Sequence, residues 1–183
     1  TADNYYDAHE LFDLRVMSTF GLTDGDLQAL ESVDGVSRVQ GSKYSDLVFI
    51  YDGRDYKTRV YSWNDSAKLN SIDILEGRFP QADNECILNV RKMNGQLTVG
   101  EKIALTDPSD SDEFPLKNAE YTVVGLFDTP MYISSTQRGS TTIGDGSLDA
   151  FAYIPESNFT QEVYTEIYIQ SDELKGSSSY SDE

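Results

Sequence analysis

The chain has 183 residues, 38% of them hydrophobic and 11% aromatic, and this length allows a packed core that buries about 70% of the unfolded surface. Its 32 acidic and 14 basic residues give a formal net charge of -18, which repels phosphate backbones and anionic lipid headgroups, so we expect no nucleic-acid partner. The 12 Tyr and 8 Phe, with many β-branched residues, predict an α+β fold that is rich in strands and has short helices.

The first residues predict a stalk followed by a strand. Residues 1–10 are polar and acidic, and we expect them to serve as a linker or stalk. Phe12, Leu14 and Val16 then alternate with charged residues. A period of two is typical of a half-buried strand.

A short helix is predicted next. Thr23 is suited to the N-cap, and Asp24 and Asp26 follow where the helix dipole favours acids. Gly35 is a stop signal, and residues 36–40 begin another strand. The apolar residues at helical spacing are Leu27, Leu30 and Val33. The first forty residues therefore predict a β-α-β unit.

A hairpin is predicted after this unit. Residues 47–51 and 56–61 are strand-like, and Gly53 between them can adopt the positive φ that a tight hairpin turn needs. Residues 62–70 are expected to form a short helical or irregular link.

From residue 72 onward the sequence predicts short strands. The predicted strands are 74–80, 85–88, 97–105, 121–126, 151–154 and 164–170. They predict a β-rich second half of the chain.

This order of elements predicts two lobes. Residues 11–62 with 160–175 would form a β-α-β-containing lobe, and residues 63–159 an inserted β-rich lobe. The ends, 1–10 and 176–183, would be a stalk and a tail or linker. Because the β-α-β unit needs further strands beside it and the chain begins at Thr1 without Met, we expect a piece of a longer protein.

The residue types argue against an enzyme. An acyl-transfer nucleophile needs a base, most often His, and the only histidine is His9 in the polar opening segment. The only cysteine, Cys86, excludes an internal disulfide, and its strand-like surroundings predict a buried small hydrophobe. We therefore predict no catalytic residue, no cofactor and no metal site.

One acidic loop leaves an alternative open. It contains four possible oxygen ligands for calcium, but their spacing lacks the order of an EF-hand loop. A solvated loop is the favoured interpretation, and a calcium site is the alternative. The candidate ligands are Asp107, Asp110, Asp112 and Glu113.

The strand segments 74–80, 85–88, 97–105 and 121–126, punctuated by glycines, follow one another in an order that resembles the extracytoplasmic core domain of MacB-like, FtsX-like ABC transporter permeases. In the first of them, Gly77 permits a turn that a β-carbon would not tolerate.

Two other stretches extend the resemblance, which spans roughly residues 11–170. Residues 23–36 are similar to the family's first β-α-β unit, and residues 131–148 resemble a Firmicutes subgroup with an enlarged outer domain.

The resemblance implies a two-lobed, porter-like domain on the extracellular face of a Gram-positive cell membrane. Such a domain would relay conformational change driven by ATP and would contact substrate or an accessory protein without catalysing a reaction. The implied partners are the membrane helices of the same permease, a cytoplasmic ATPase subunit, a second permease copy, and an accessory protein, peptide or lipid.

Two other hypotheses stay open from the sequence. A free-standing cell-surface ligand-binding or adhesion module would be secreted with its own signal peptide. A hydrolase that acts through carboxylates alone would need two carboxyl groups facing each other across a cleft, about 5–10 Å apart.

Overall fold

The structure is a computed structural model, and it describes residues 10–67, 69–89, 97–109, 111–129 and 139–172. Within these ranges the chain is strand-rich with one α-helix, which confirms the α+β class. The elements are β1 (Leu14–Leu22), α1 (Asp24–Glu31), β2 (Val36–Ser42), β3 (Tyr44–Tyr51), β4 (Arg54–Trp63), β5 (Asp73–Gly77), β6 (Glu85–Asn89), β7 (Lys102–Thr106), β8 (Glu120–Asp128), β9 (Ala150–Pro155), a 3-10 helix (Glu156–Asn158) and β10 (Tyr164–Ser171).

Three strands form a small sheet in the order β1-β10-β2. β10 is antiparallel to both neighbours, so β1 and β2 are parallel to each other and α1 connects them. The predicted β-α-β unit is therefore confirmed, with the late strand β10 inserted at its centre. The predicted return of residues 164–170 to this unit is confirmed as well.

Local sequence explains where α1 begins. The Asp26 N–H donates to Thr23 Oγ1 at 3.3 Å, and the Thr23 N–H donates to Asp26 Oδ2 at 2.7 Å, which completes a capping box. Leu27 and Leu30 pack against the buried residues of the small sheet. The helix ends at Glu31, so Val33 lies beyond it and is exposed, unlike its predicted place on the apolar face.

Seven strands form a large sheet in the order β5-β8-β6-β9-β4-β3-β7. β7 also pairs with β8, so the sheet closes on itself. The predicted hairpin is confirmed as β3 and β4, joined by Asp52 and Gly53 with φ of 49° and 71°. Its sheet differs from the prediction, because β4 pairs in parallel with β9 and the hairpin lies in the large sheet rather than with the β-α-β unit.

The large sheet buries both of its faces. Cys86 and Leu88 lie in one cluster of buried side chains, and Ile87 between them lies in a second cluster on the other face. Because side chains alternate along a strand, this burial explains the continuous apolar run in β6. The prediction that Cys86 is a buried small hydrophobe is confirmed, and burial raises the pKa of its thiol.

Gly77 ends β5 with φ of 80°, which confirms the predicted turn. A β-carbon at Gly77 would overlap the carbonyl oxygen of Val124, the atom that accepts a 2.9 Å hydrogen bond from the Arg78 N–H. The predicted strand 97–105 begins only at Lys102, because residues 99–100 form a turn.

Several sequence predictions fall outside the described residues. These are the stalk up to His9, the tail 176–183, Asp110, and residues 131–138 of the segment that resembles a Firmicutes subgroup. Across the described ranges, no helix combines the length and the apolar character that a bilayer crossing requires.

Candidate functional site

The two sheets meet at a junction where the chain crosses between them twice within the described residues. Lys43 alone connects β2 to β3, and residues 156–163 connect β9 to β10. The Lys43 N–H donates to Ser62 Oγ at 3.0 Å, and the Ser62 N–H donates to the Lys43 carbonyl at 2.8 Å. The Tyr44 N–H donates to Thr165 Oγ1 at 3.1 Å. The Lys43 crossing is thereby fastened to β4, and β3 of the large sheet to β10 of the small sheet.

A buried carboxylate marks the small-sheet side of the junction. Glu166 on β10 is 1% exposed and accepts a hydrogen bond from the Tyr168 hydroxyl. Arg15 Nη1 lies 3.6 Å from its Oε2 atom. Burial raises the pKa of Glu166, while the Tyr168 hydrogen bond and Arg15 act in the opposite direction. The carboxyl group is thus held between two strands of the small sheet.

A buried ion pair lies on the large-sheet side. Arg59 donates to both carboxylate oxygens of Asp46, at 2.7 and 2.8 Å, and to the Ser140 carbonyl at 2.9 Å. Burial alone lowers the pKa of Arg59, but the hydrogen bonds to Asp46 together with the charges of Asp46, Tyr61 and Tyr44 outweigh it, so the pKa lies above its ordinary value. The guanidinium also lies 4.3 Å from the ring centroid of Tyr44, the first residue of β3. This pair therefore supports the strand that leaves the junction.

Lys43 itself is buried and ion-paired. Its Nζ atom lies 3.4 Å from Glu156 Oε1 and 5.7 Å from the ring centroid of Tyr164. The Tyr164 hydroxyl donates to Asp24 Oδ1 at 2.8 Å. Burial, followed by this hydrogen bond, raises the pKa of Tyr164 to about 12. Tyr164 therefore joins the junction to the first turn of α1.

A cavity of about 440 Å³, here called the edge cleft, opens beside the junction. This volume falls within the range of about 300–1,000 Å³ that is usual for ligand pockets. Its lining includes Leu27 and Glu31 of α1, residues 37–42 of β2, and Ser62, Trp63, Asn64, Ser66, Ala67, Leu69, Asn70, Ile72, Tyr153, Glu156, Tyr164 and Tyr168.

The small sheet also exposes large apolar side chains. Phe20 on β1 is 95% exposed, and Leu14 and Met17 on the same strand are more than half exposed. Soluble surfaces carry single exposed apolar residues routinely, whereas here three large ones lie on one strand.

The predicted alternative of a calcium loop receives no support from the described residues. Asp107 Oδ1 accepts from the Ser109 N–H at 2.8 Å, which is an ordinary Asx turn. Within the parts of the chain that the structure describes, no group of three or more His, Cys, Asp or Glu side chains is arranged to hold a metal ion. Asp110 lies outside these parts.

Sequence reasoning missed the residues of the junction and of the edge cleft. Glu166 and Arg59 each sit between β-forming residues, and a charge inside an apolar strand was the available signal. Nothing in the sequence indicated that Lys43 connects two different sheets, because it is the single residue between β2 and β3.

Comparison with known proteins defines the family. The model of the MacB-like periplasmic core domain matches residues 3–178. The chain therefore belongs to this family, the extracytoplasmic domain of FtsX- and MacB-like ABC transporter permeases, which are membrane-anchored. A search of curated proteins found no match.

Solved structures of the same class are similar in fold. The extracellular domain of the noncanonic ABC-type transporter YknZ from Gram-positive bacteria has 17% identity and a TM-score of 0.50, over 86% of this chain and 79% of that chain. The periplasmic region of MacB from Actinobacillus actinomycetemcomitans has 10% identity and a TM-score of 0.49, over 85% and 66%. A domain assigned to a permease protein of Porphyromonas gingivalis has 16% identity and a TM-score of 0.46, over 82% and 63%. At 17% identity the likeness to the YknZ domain concerns the fold alone.

Proposed function

We propose that this domain relays movement driven by ATP from the membrane helices of its permease to a bound substrate or accessory protein, without catalysing a reaction. The junction is the observation that carries the proposal. A single residue, Lys43, forms one crossing, and hydrogen bonds from Lys43 to β4 and from Tyr44 to β10 connect the two sheets there. A displacement of the small sheet would therefore move the large sheet with it.

The strand order supports the direction of this relay. β1 and β10, the first and last described strands, are hydrogen-bonded neighbours in the small sheet. Membrane helices joined to either end of the domain would both act on this sheet. The small sheet would then receive the movement and the large sheet would carry it outward.

The division into lobes follows the two sheets. We place β1, α1, β2 and β10 in a porter-like lobe and the seven-stranded sheet in an inserted β-rich lobe. This arrangement keeps the predicted return of residues 160–175 and moves the β3–β4 hairpin, predicted within 11–62, into the inserted lobe.

The proposed partners are the membrane helices of the same permease, a cytoplasmic ATPase subunit acting through them, and a second permease copy. Leu14, Met17 and Phe20 offer an apolar contact for an accessory protein, a peptide or a lipid. The charge of -18 disfavours nucleic acid. A Gram-positive cell surface is supported by the likeness to the YknZ domain.

Distance measurements on the full-length permease test the relay. Spin labels at Thr19→Cys in β1 and Asp52→Cys in the hairpin turn lie in the two sheets, and the native thiol of Cys86 is buried. Between the nucleotide-free and the ATP-bound states, we expect the distance from the Thr19→Cys label to the Asp52→Cys label within one domain to stay unchanged. The distance between the two Asp52→Cys labels of a permease dimer should change. A constant distance between copies in all nucleotide states would refute the relay.

A further inference from the structure

The edge cleft lies against an unpaired strand edge. β2 is the outer strand of the small sheet, and among the described residues its only pairing partner is β10. Residues 37–42 line the cleft consecutively. Because successive side chains of a strand point to opposite faces, a cleft that touches every residue faces the edge of the strand rather than one face. A sheet edge presents N–H and C=O groups to which another extended chain can bind.

Asn70 gives the cleft an unused hydrogen-bond donor. It is 6% exposed, and its Oδ1 atom accepts from the Phe12 N–H at 3.1 Å. A backbone N–H can only donate, so the oxygen is fixed on that side and the Nδ2 atom on the other. Asn70 Nδ2 is buried without a hydrogen-bond partner among the described residues. A buried donor left unsatisfied is costly, and a ligand carbonyl in the cleft would satisfy it.

The backbone of Asn70 is held in place independently of its side chain. Its φ is 57°, a left-handed conformation that asparagine tolerates better than most residues. Its N–H donates to the Glu10 carbonyl at 3.0 Å. The donor position is therefore set before any ligand arrives.

The charges of the cleft favour a basic ligand. Among the described residues, Arg38 is ion-paired with Glu10, and Lys43 with Glu156. Glu31, at the end of α1, has no ion-pair partner among them. The described lining of the cleft therefore carries two acids, Glu31 and Glu156, and one base, Arg38.

We propose that the edge cleft binds an extended basic polypeptide segment, which adds as a strand to the outer edge of β2 and accepts a hydrogen bond from Asn70 Nδ2. Main-chain pairing provides affinity in this mode of recognition, and side-chain contacts provide specificity. A basic side chain of the segment lies near Glu31, and the half-buried ring of Trp63, which lines the cleft, contacts its apolar side chains. The proposal deepens the contact with substrate or accessory protein proposed above, but it does not require that movement is relayed.

Titration of the isotope-labelled 183-residue chain with a defined probe tests the proposal. The probe is an acetylated and amidated octapeptide that alternates valine and lysine. We expect shifts of the backbone amide signals of residues 37–42 and of the Asn70 side-chain amide. A version of the probe with N-methylated backbone nitrogens on one edge should bind at least about tenfold more weakly, because it cannot complete the strand pairing. No shift of residues 37–42 at millimolar probe, or equal binding of both versions, would overturn the proposal.

Two variants separate the contribution of the Glu31 charge from that of the Asn70 side-chain donor. Glu31→Gln lies on an exposed helix end and should weaken the lysine probe about threefold but leave a valine–threonine probe unchanged. Glu120→Gln, an exposed acid that does not line the cleft, is the matched control. Asn70→Asp keeps the acceptor for Phe12 but removes the donor, and should weaken the valine–threonine probe about fivefold. Wild-type affinity in both Glu31→Gln and Asn70→Asp would refute the assigned contacts. A backbone amide spectrum like that of the wild type shows that each variant is folded.

Octapeptides with free and with blocked termini distinguish a free peptide from a segment of a partner protein as the natural ligand. If the natural ligand is a free peptide, octapeptides with free termini should bind more tightly than blocked ones. If it is a segment of a partner protein, blocked peptides should bind as well as or better than free ones. The two proposals can fail separately. If the octapeptide does not bind the domain but the distance between the two Asp52→Cys labels changes with nucleotide, the cleft proposal is refuted and the relay proposal is not.

Discussion

The large and small sheets are stabilised in different ways. The large sheet buries apolar side chains on both faces, and residues such as Phe49, Ile87 and Ile154 are fully inaccessible. The small sheet has a core of three buried apolar residues, Leu22, Ile167 and Ile169, packed against one helix. The difference indicates that the large sheet is a self-sufficient scaffold, whereas the small sheet depends on the junction and is better suited to move or bind.

Removing the buried ion pair near the junction should have the largest effect. Arg59→Met is expected to lower the free energy of unfolding by about 3–5 kcal/mol, because Asp46 is then a buried carboxylate without its partner. Chemical denaturation measures the loss. Replacing both partners, Arg59→Met with Asp46→Leu, should recover most of it.

The matched control for Arg59 is a more exposed ion pair of the same strand. Lys57 Nζ lies 2.9 Å from Asp145, whose side chain is 70% exposed, and 3.4 Å from the more buried Asp149. Asp145→Asn removes only the exposed partner and should lower the free energy of unfolding much less than Arg59→Met does. Equal losses for the Asp145 and Arg59 variants would show that the burial of the Arg59–Asp46 pair adds nothing to stability.

The closed packing of the large sheet predicts the next effect. Gly77→Ala should cost about 3 kcal/mol, since the new β-carbon overlaps the Val124 carbonyl and the left-handed backbone is strained as well. Gly53→Ala has the same kind of backbone strain with open space around it, and should cost only about 1 kcal/mol. Similar melting temperatures for the two variants would contradict the close approach of β5 and β8.

One carboxyl group in each sheet should contribute to stability with an opposite dependence on pH. Hydrogen bonds from Arg78 and from the Gln81 N–H lower the pKa of Glu85 in the large sheet to about 2. Its stabilisation is present above pH 4.5 and is lost as the pH falls through 2. Burial raises the pKa of Glu166 in the small sheet, so its contribution is present below pH 4.5 and is lost as the pH rises through the raised value.

Denaturation of Glu85→Gln and Glu166→Gln across the pH range measures both contributions. Relative to wild type, Glu85→Gln should lose about 1–2 kcal/mol above pH 4.5 and approach wild type at pH 2. The deficit of Glu166→Gln should shrink as the pH rises above 4.5. Parallel pH profiles for the two variants would remove this contrast between the sheets.

The smallest effect is expected on the exposed face of the small sheet. Phe20→Ser should change the free energy of unfolding by less than about 0.5 kcal/mol, because the ring is 95% exposed. Ile167→Ala in the same sheet should cost about 2–5 kcal/mol. A large loss for Phe20→Ser would mean that this ring packs within the domain and is not available to a partner.

Elements that depend on neighbouring residues were predictable from the sequence. The Thr23 cap and the tight turns at Gly53 and Gly77 each arise within a few residues, and the structure contains all three. The partners of the strands were not predictable, because the parallel pairing of β4 with β9 joins residues about ninety positions apart. Periodicity does not record which strand lies beside which.

The candidate site was the least predictable part for the same reason. Arg59 and Asp46 meet across two strands, and Glu166 meets Arg15 across 151 positions of sequence. Asn70 became notable only through its buried, unpaired amide. The resemblance to the permease family came from the order of several short segments, which survives when individual residues vary.

The central place of β10 has a consequence for folding. β1 and β2 flank β10, so neither gains its hydrogen-bonding neighbour until residues 164–171 have been synthesised. A chain that emerges from its N-terminus, as in translocation across a membrane, would assemble most of the large sheet while β1 and β2 still wait as unpaired strands. The part of the domain that is proposed to receive force from the membrane would then be the last to acquire its structure.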